Sequence, residues 1–186
     1  MRIIGGNRRG LKLAELGAGD AAAHLRPTSD RVREAIFNLL INAHGNPVTG
    51  ARVLDLFAGT GALGLEALSR GAAEVVFVDD GAKALALIKA NIARLRAESV
   101  TKVLRQDALR LGPAPGAGFG LVFLDPPYGK GLGEVALLAA RKGGWLAPGA
   151  MVVWEEGTAP QLPEGFALVD QRKYGDTVVT LLRAPE

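Results

Sequence analysis

Residues 51–80 read ARVLDLFAGTGALGLEALSRGAAEVVFVDD, and the architecture follows from this stretch. ARVLDLF (51–57) is a short apolar run, the pattern of a buried strand. AGTGALGLEALSRG continues it as a glycine-rich turn entering a helix that Gly71 ends. EVVFVDD (74–80) is a second strand. Gly59, Gly61 and Gly64 fit G-x-G-x-x-G, and Asp79 and Asp80 close the second strand, Asp79 lying 20 residues beyond Gly59. In a strand–turn–helix–strand unit that spacing marks an adenosyl-ligand site: glycines permit the tight turn and close backbone approach, and the acid reaches ribose hydroxyls. The triplet alone does not separate a nicotinamide cofactor from other adenosyl ligands.

Working outward, residues 82–97 form a second helix, and KVLRQD (102–107) and LVFLD (121–125) are strands parted by a Pro/Gly loop at 112–118. Residues 132–142 read as helix and AMVVWEE (150–156) as a fifth strand, and FALVDQRKY and DTVVTLLR, parted by Gly175, form an antiparallel pair. Upstream, residues 2–13 (RIIGG…RGLKL) read as a hairpin turning at Gly5-Gly6-Asn7, and residues 17–23 as a loop. TSDRVREAIFNLLINA (28–43) is a helix capped by Thr28 or Ser29, with Val32, Ala35, Ile36, Leu39, Leu40 and Ala43 on its buried face. Strands alternating with helices predict one α/β domain over residues 1–186, a mostly parallel sheet covered on both faces. Ligands of such sheets sit at the C-terminal ends of the strands.

Composition narrows the function. The chain has 186 residues, 48% of them hydrophobic, a net charge of +3 and no cysteine, which excludes disulfides, thiolate catalysis and most zinc sites. His24 and His44 are the only histidines, in unlike contexts, so no metal is expected and both histidines read as structural or exposed. No apolar run is long enough for a membrane span, and MRIIGGNRRG is not a secretory signal, so a soluble, cytoplasmic monomer is expected. Residues 1–33 hold seven Lys/Arg against three acids, while the remainder is nearly neutral. A basic N-terminal segment on a neutral body suits a polyanionic partner.

Two features select among adenosyl ligands. Asp55 lies four residues before the first glycine, where a carboxylate repels a pyrophosphate but accepts hydrogen bonds from the ammonium of S-adenosylmethionine. The strand at 121–124 runs into Asp125-Pro126-Pro127-Tyr128, a carboxylate, two rigid prolines and an aromatic ring where a ligand would sit.

D-x-F-x-G-x-G followed by D-P-P-Y resembles the class I methyltransferases that modify exocyclic or amide nitrogens. Within them, RIIGGNRRGLKL (2–13), LRPTSDRVREAIFNLL (25–40) and LDLFAGTGALGLEALSRGA (54–72) closely resemble the RsmD family of bacterial 16S ribosomal RNA guanine-N2 methyltransferases. The resemblance implies a Rossmann-like seven-stranded sheet, mostly parallel with an antiparallel C-terminal strand, preceded by a small hairpin and helix. Residues 1–24 become an RNA-contacting extension and 25–186 the core. It further implies S-adenosyl-L-methionine as cofactor, held by Arg26, Thr28, Ser29, Asp55, Phe57, Gly59, Gly61, Asp79, Asp80 and Asp107. Asp79 or Asp80 would take the ribose, and Asp107 the adenine amino group; the family often has acid–x–acid where this chain has adjacent acids. Asp125, Pro126 and Tyr128 become catalytic: two acceptors for the hydrogens of guanine N2 and a ring to stack on the base. Arg8, Arg9 and Lys12 would meet phosphates of 16S rRNA, presented within a small subunit or assembly particle. A DNA adenine-N6 methyltransferase is the nearby rival; a nicotinamide-dependent oxidoreductase leaves Asp55 and the D-P-P-Y motif unexplained, and the intact motif argues against a non-catalytic RNA-binding module.

Overall fold

The computed structural model describes residues 1–15 and 28–186, so the loop expected at 17–23, His24 and Arg26 lie outside the described residues. The strands are β1 (Arg52–Leu56), β2 (Glu74–Asp79), β3 (Thr101–Arg105), β4 (Phe119–Leu124), β5 (Leu146–Glu156), β6 (Ala167–Tyr174) and β7 (Thr177–Arg183). They make one sheet in the order β3-β2-β1-β4-β5-β7-β6. The first five pair in parallel, and β7 runs antiparallel to both its neighbours, as expected from the Gly175 turn. The helices are α1 (Asp30–Ala43), α2 (Ala62–Ser69), α3 (Ala82–Leu95) and α4 (Leu132–Lys142). After β1 the chain builds outward through β2 and β3, then returns to place β4 on the other side of β1. The crevice at that switch point is where open α/β sheets bind ligands.

Strand side chains alternate between faces, and the two faces carry separate apolar clusters. Val53, Val75, Phe77, Leu121, Phe123, Met151 and Val153 pack against α1, α2 and α3. Leu54, Val76, Val78, Val122, Leu124, Val152 and Trp154 pack against α4 and Trp145. Both tryptophans are fully buried, in keeping with a packing role. The same parity carried past the strand ends puts Asp55, Asp79, Asp125 and Glu155 on the face of α1–α3. The register pairs Asp55 with Phe123 and Phe123 with Val153, so these acids converge at one end of the sheet.

One expectation for the N-terminal third is corrected. Helix α1 begins after Ser29, whose hydroxyl accepts from the Val32 amide at 3.2 Å, but its buried face is Arg33, Ile36, Phe37 and Leu40. Ala43 is exposed and Val32, Ala35 and Leu39 lie at the margins. The stripe is rotated because a charged residue occupies its centre. The Arg33 guanidinium donates to the Arg2 carbonyl and to Asp30 at 2.8 Å, and its Nε lies 3.5 Å from Glu66 Oε2. The hairpin expected at 2–13 is present: the Ile3 amide donates to Leu11, the Gly10 amide to Ile3 and the Leu13 amide to Met1, with an antiparallel bridge of Arg2 with Lys12, around a short 3-10 turn at Gly6–Arg8. Gly5 and Gly6 are there for close approach to α2: a Cβ on Gly6 would stand 1.8 Å from the Ser69 carbonyl oxygen, and one on Gly5 would stand 2.4 Å from the Arg70 guanidinium.

Candidate active site

A cavity of about 490 Å³ opens at the C-terminal ends of β1, β2 and β4, within the size range of small-molecule sites. The turn after β1 shapes its floor. Phe57 and Gly59 adopt φ of 57° and Gly61 of 76°, so one non-glycine residue is held in the left-handed region at the mouth of the strand. Asp79 anchors this turn: its Oδ2 accepts from the Gly59 amide and its Oδ1 from the Gly81 amide, both at 2.9 Å. Asp55 Oδ2 accepts from the Gly64 amide at 2.9 Å. A Cβ on Gly64 would stand 2.5 Å from the Phe77 ring, so the third glycine lets α2 lie directly on the sheet.

The structure gathers Thr28, Asp55, Phe57, Gly59, Asp79, Asp80, Asp125, Pro126 and Tyr128 around this one cavity. Three residues expected at the cofactor stand apart from its lining. Ser29 caps α1. Gly61 opens α2 as its N-cap. Asp107 caps the short turn Ala108–Arg110, accepting from the Leu109 amide at 2.9 Å. Lys12, with Arg8 and Arg9, is exposed on the N-terminal segment, as a phosphate-contacting side chain must be. The hydroxyl of Thr28 donates to Glu155 Oε1 at 2.9 Å and lies 3.5 Å from Asp125 Oδ2, so its one proton is directed at a carboxylate.

Glu155 is the residue that sequence reasoning left undecided. It is 2% exposed, at the end of β5 beside Asp125. Burial raises the Asp125 carboxyl well above the usual range, reinforced by the charge of Glu155 and eased by the Thr28 hydroxyl. Burial likewise raises Asp55 well above it, against the Gly64 amide and with Asp125 and Asp79 adding to the rise. Asp79 is raised by burial against the pull of the Gly59 and Gly81 amides. Glu155 is pushed up to about 7 by burial, with the Thr28 hydroxyl and Arg33 drawing it back. Burial also lifts the Tyr128 phenol to about 12, so the half-exposed ring is neutral, with its hydroxyl 3.3 Å from Thr177 Oγ1. The turn that carries Tyr128 is tied to the sheet by Glu156, whose Oε1 accepts from the Gly129 and Gly157 amides at 2.9 Å each. Carboxylates crowded in a recess are complementary to a positively charged ligand.

The raised Glu155 has a consequence for stability. Between 4.5, its ordinary value, and about 7, the folded chain binds the proton and the unfolded chain does not, so stability falls as pH rises through that window. Glu155→Gln removes the charge and flattens this limb. The variant is expected to melt higher than the parent at about pH 8, by up to roughly 3 kcal/mol of stability, and to converge with it at low pH. Thermal melts across pH check this, and a parent more stable than the variant at about pH 8 contradicts it.

Comparison with known proteins agrees with the geometry. The family model described as conserved hypothetical protein 95 matches residues 1–183. The chain is 39% identical over 185 residues to "Ribosomal RNA small subunit methyltransferase D" of Escherichia coli (strain K12), covering 97% of this chain and 88% of that protein. It is 38% identical over 189 residues to "Putative rRNA methyltransferase YlbH" of Bacillus subtilis (strain 168), covering 98% of each. Its fold is similar to the solved structure of the putative methyltransferase yhhF from Escherichia coli, with a TM-score of 0.82, 35% identity and coverage of 100% of this chain and 98% of the other. The turn after β1, the acids at the strand ends and the D-P-P-Y rim thus stand in a class I methyltransferase fold, and the chain belongs to the RsmD family.

Proposed function

We propose that this protein transfers a methyl group from S-adenosyl-L-methionine to the exocyclic N2 amine of a guanine in 16S rRNA of the small ribosomal subunit. The observation that carries the reading is one cavity that brings both sets of residues together. Asp55, Asp79 and the turn at Phe57–Gly59 line it together with Asp125, Pro126 and Tyr128. The names of the small-subunit methyltransferase relatives support an rRNA substrate.

The donor set fits S-adenosylmethionine. Asp55 offers a carboxylate to the ammonium of the methionine end. Asp79, already aimed by two backbone amides, offers its remaining lone pairs to the ribose, with Asp80 beside it. Phe57, Ala58, Leu63 and Ala84 supply apolar wall for the adenine. When bound, this cofactor supplies a methyl group on a positively charged sulfur.

The protein's task is then to prepare a weak nucleophile, because the N2 lone pair is delocalised into the guanine ring. The Asp125 carboxylate and the Pro126 carbonyl accept its two hydrogens, which lets the nitrogen become tetrahedral and aims its lone pair at the methyl carbon. Acceptors fixed before reaction stabilise developing positive charge without reorganising, and alignment supplies much of the remaining rate. The Pro126-Pro127 pair holds them rigidly. Tyr128 stacks on the base after it turns out of its surroundings, worth roughly 1–3 kcal/mol. Arg8, Arg9 and Lys12 hold phosphates and give affinity without sequence preference.

The test is transfer of labelled methyl from S-adenosylmethionine to small subunits lacking the modification, naked 16S rRNA, duplex DNA and no acceptor. Label recovered as N2-methylguanine from rRNA is expected. Label in DNA adenine establishes the rival activity, and binding of the cofactor without transfer to any acceptor overturns the catalytic reading.

A further inference from the structure

We propose that Thr28 and Glu155 form a proton relay behind Asp125, so that the proton shed by the methylated amine ends on Glu155. The inference rests on the amine-methylation reading above and assigns two residues to its final step. Three observations carry it. Glu155 is a carboxylate 2% exposed, at the end of the strand next to the one that delivers Asp125. Thr28 stands between the two carboxylates, 2.9 Å from Glu155 Oε1 and 3.5 Å from Asp125 Oδ2. Thr28 is also held from behind, its carbonyl accepting from Arg33 Nη1 at 3.4 Å.

A hydroxyl has one proton to give and lone pairs to receive, which is what a relay between two acids needs. The balance closes. As the nitrogen–methyl bond forms, the sulfur keeps the electron pair of the bond that breaks, and the nitrogen becomes positively charged. Its N–H proton passes to the Asp125 carboxylate. Asp125 then gives that proton to Thr28 Oγ1 while the hydroxyl proton of Thr28 moves to Glu155 Oε1. The products are a neutral methylamine, an ionised Asp125 ready for another substrate, and a protonated Glu155 that later returns its proton to water.

The surroundings suit a group that gains and loses a proton near neutrality. Facing Glu155 are Thr28 and Arg33 from the start of α1, Asp55 from β1 and Asp125 from the end of β4; among the described residues Glu156 and Tyr128 are the other charged or titratable groups, and β7 places Val179 opposite it. Arg33 is the one cation among them, and its guanidinium is shared with Asp30, Glu66 and the Arg2 carbonyl. After transfer the pair Asp125 and Glu155 holds one proton between two carboxylates.

The experiment measures kcat against pH for the intact protein on small subunits lacking the modification, with Glu155→Gln, Thr28→Val and Thr28→Ser. In the unaltered protein kcat rises with pH as Glu155 ionises. Glu155→Gln and Thr28→Val are expected to lower kcat by about tenfold or more near neutrality, within the usual worth of proton transfer, and to lose that limb of the profile. Thr28→Ser restores both rate and profile. S-adenosylhomocysteine affinity, read by calorimetry, stays within about threefold in Glu155→Gln, which separates loss of the relay from loss of the fold. Infrared titration follows the same pair without turnover: a protonated-carboxyl band that disappears near neutral pH in the parent is absent in Glu155→Gln. Parental kcat and pH profile in Glu155→Gln or Thr28→Val overturn the relay while leaving guanine methylation standing. Failure of the unaltered protein to methylate rRNA overturns the underlying reading and the relay with it.

Discussion

Asp125→Ala is expected to reduce methyl transfer by about 10²–10³-fold or more while leaving S-adenosylmethionine affinity within a few-fold, as measured by single-turnover rates and calorimetry. The magnitude is that of removing one pre-placed hydrogen-bonding group from a site where charge develops in the transition state. Affinity is spared because Asp55 and Asp79 are held in place by the Gly64, Gly59 and Gly81 amides rather than by Asp125. The variant should also fold at least as stably as the parent near neutral pH. Asp125 is a buried acid facing another, Glu155, and removing one of two crowded carboxylates relieves the other. Asp125→Asn sharpens the test, since it keeps the shape and one acceptor oxygen but cannot take a proton. Its rate falls between those of the parent and the alanine variant. A loss of cofactor affinity in Asp125→Ala as large as the loss of rate would move this residue from catalysis to cofactor binding.

Most of this site was legible in the sequence because its residues lie at strand ends and strands have a two-residue period. Asp55, Asp79 and Asp125 follow apolar runs short enough to be buried strands, and such sheets bind ligands at those ends. Glu155 has the same parity and position, two residues beyond Val153. It was harder to assign because Glu156 follows it, and two adjacent glutamates at a strand end read equally well as solvated. The structure separates them: Glu155 turns to the cavity face, and Glu156 is spent on the Gly129 and Gly157 amides. Helix α1 was misread on one face because hydrophobic periodicity counts an arginine as exposed. Arg33 is buried by long-range partners, Arg2 and Glu66, that no local pattern reveals. Gly5 and Gly6 lead into the turn that the sequence indicates, with Gly6 at φ of 76°. What no local pattern reveals is that they also clear space for the end of α2, a partner more than 60 residues away.

That contact sets the second large expectation, that Glu66→Ala costs about 3–5 kcal/mol of folding stability, the range for breaking a buried ion pair from one side. Glu66 is 0% exposed and serves four groups. Its Oε2 accepts from the Ile4 amide at 2.8 Å and lies 3.5 Å from Arg33 Nε; its Oε1 accepts from the Gly5 amide at 2.8 Å and from Arg70 Nε at 2.7 Å. Alanine would leave two part-buried amides without their acceptor, take a carboxylate from the Arg70 guanidinium and leave the buried Arg33 with Asp30. Glu66→Gln offers little rescue, because its amide nitrogen must face either a backbone N–H or a guanidinium, donor against donor. By contrast, Arg8→Ala removes an exposed side chain and should shift stability by less than about 0.5 kcal/mol. Denaturant midpoints of the three variants measure these differences, and a Glu66→Ala loss below about 1 kcal/mol contradicts the account. The same carboxylate has a second effect, because the segment it pins carries Arg8, Arg9 and Lys12. In conditions where Glu66→Ala still folds, the loosened segment pays ordering entropy on meeting RNA, so KM for the small subunit rises while S-adenosylhomocysteine affinity holds. A KM unchanged beside a large stability loss would mean that the basic segment contributes nothing to RNA binding, and the phosphate-contacting role of Arg8, Arg9 and Lys12 would be withdrawn.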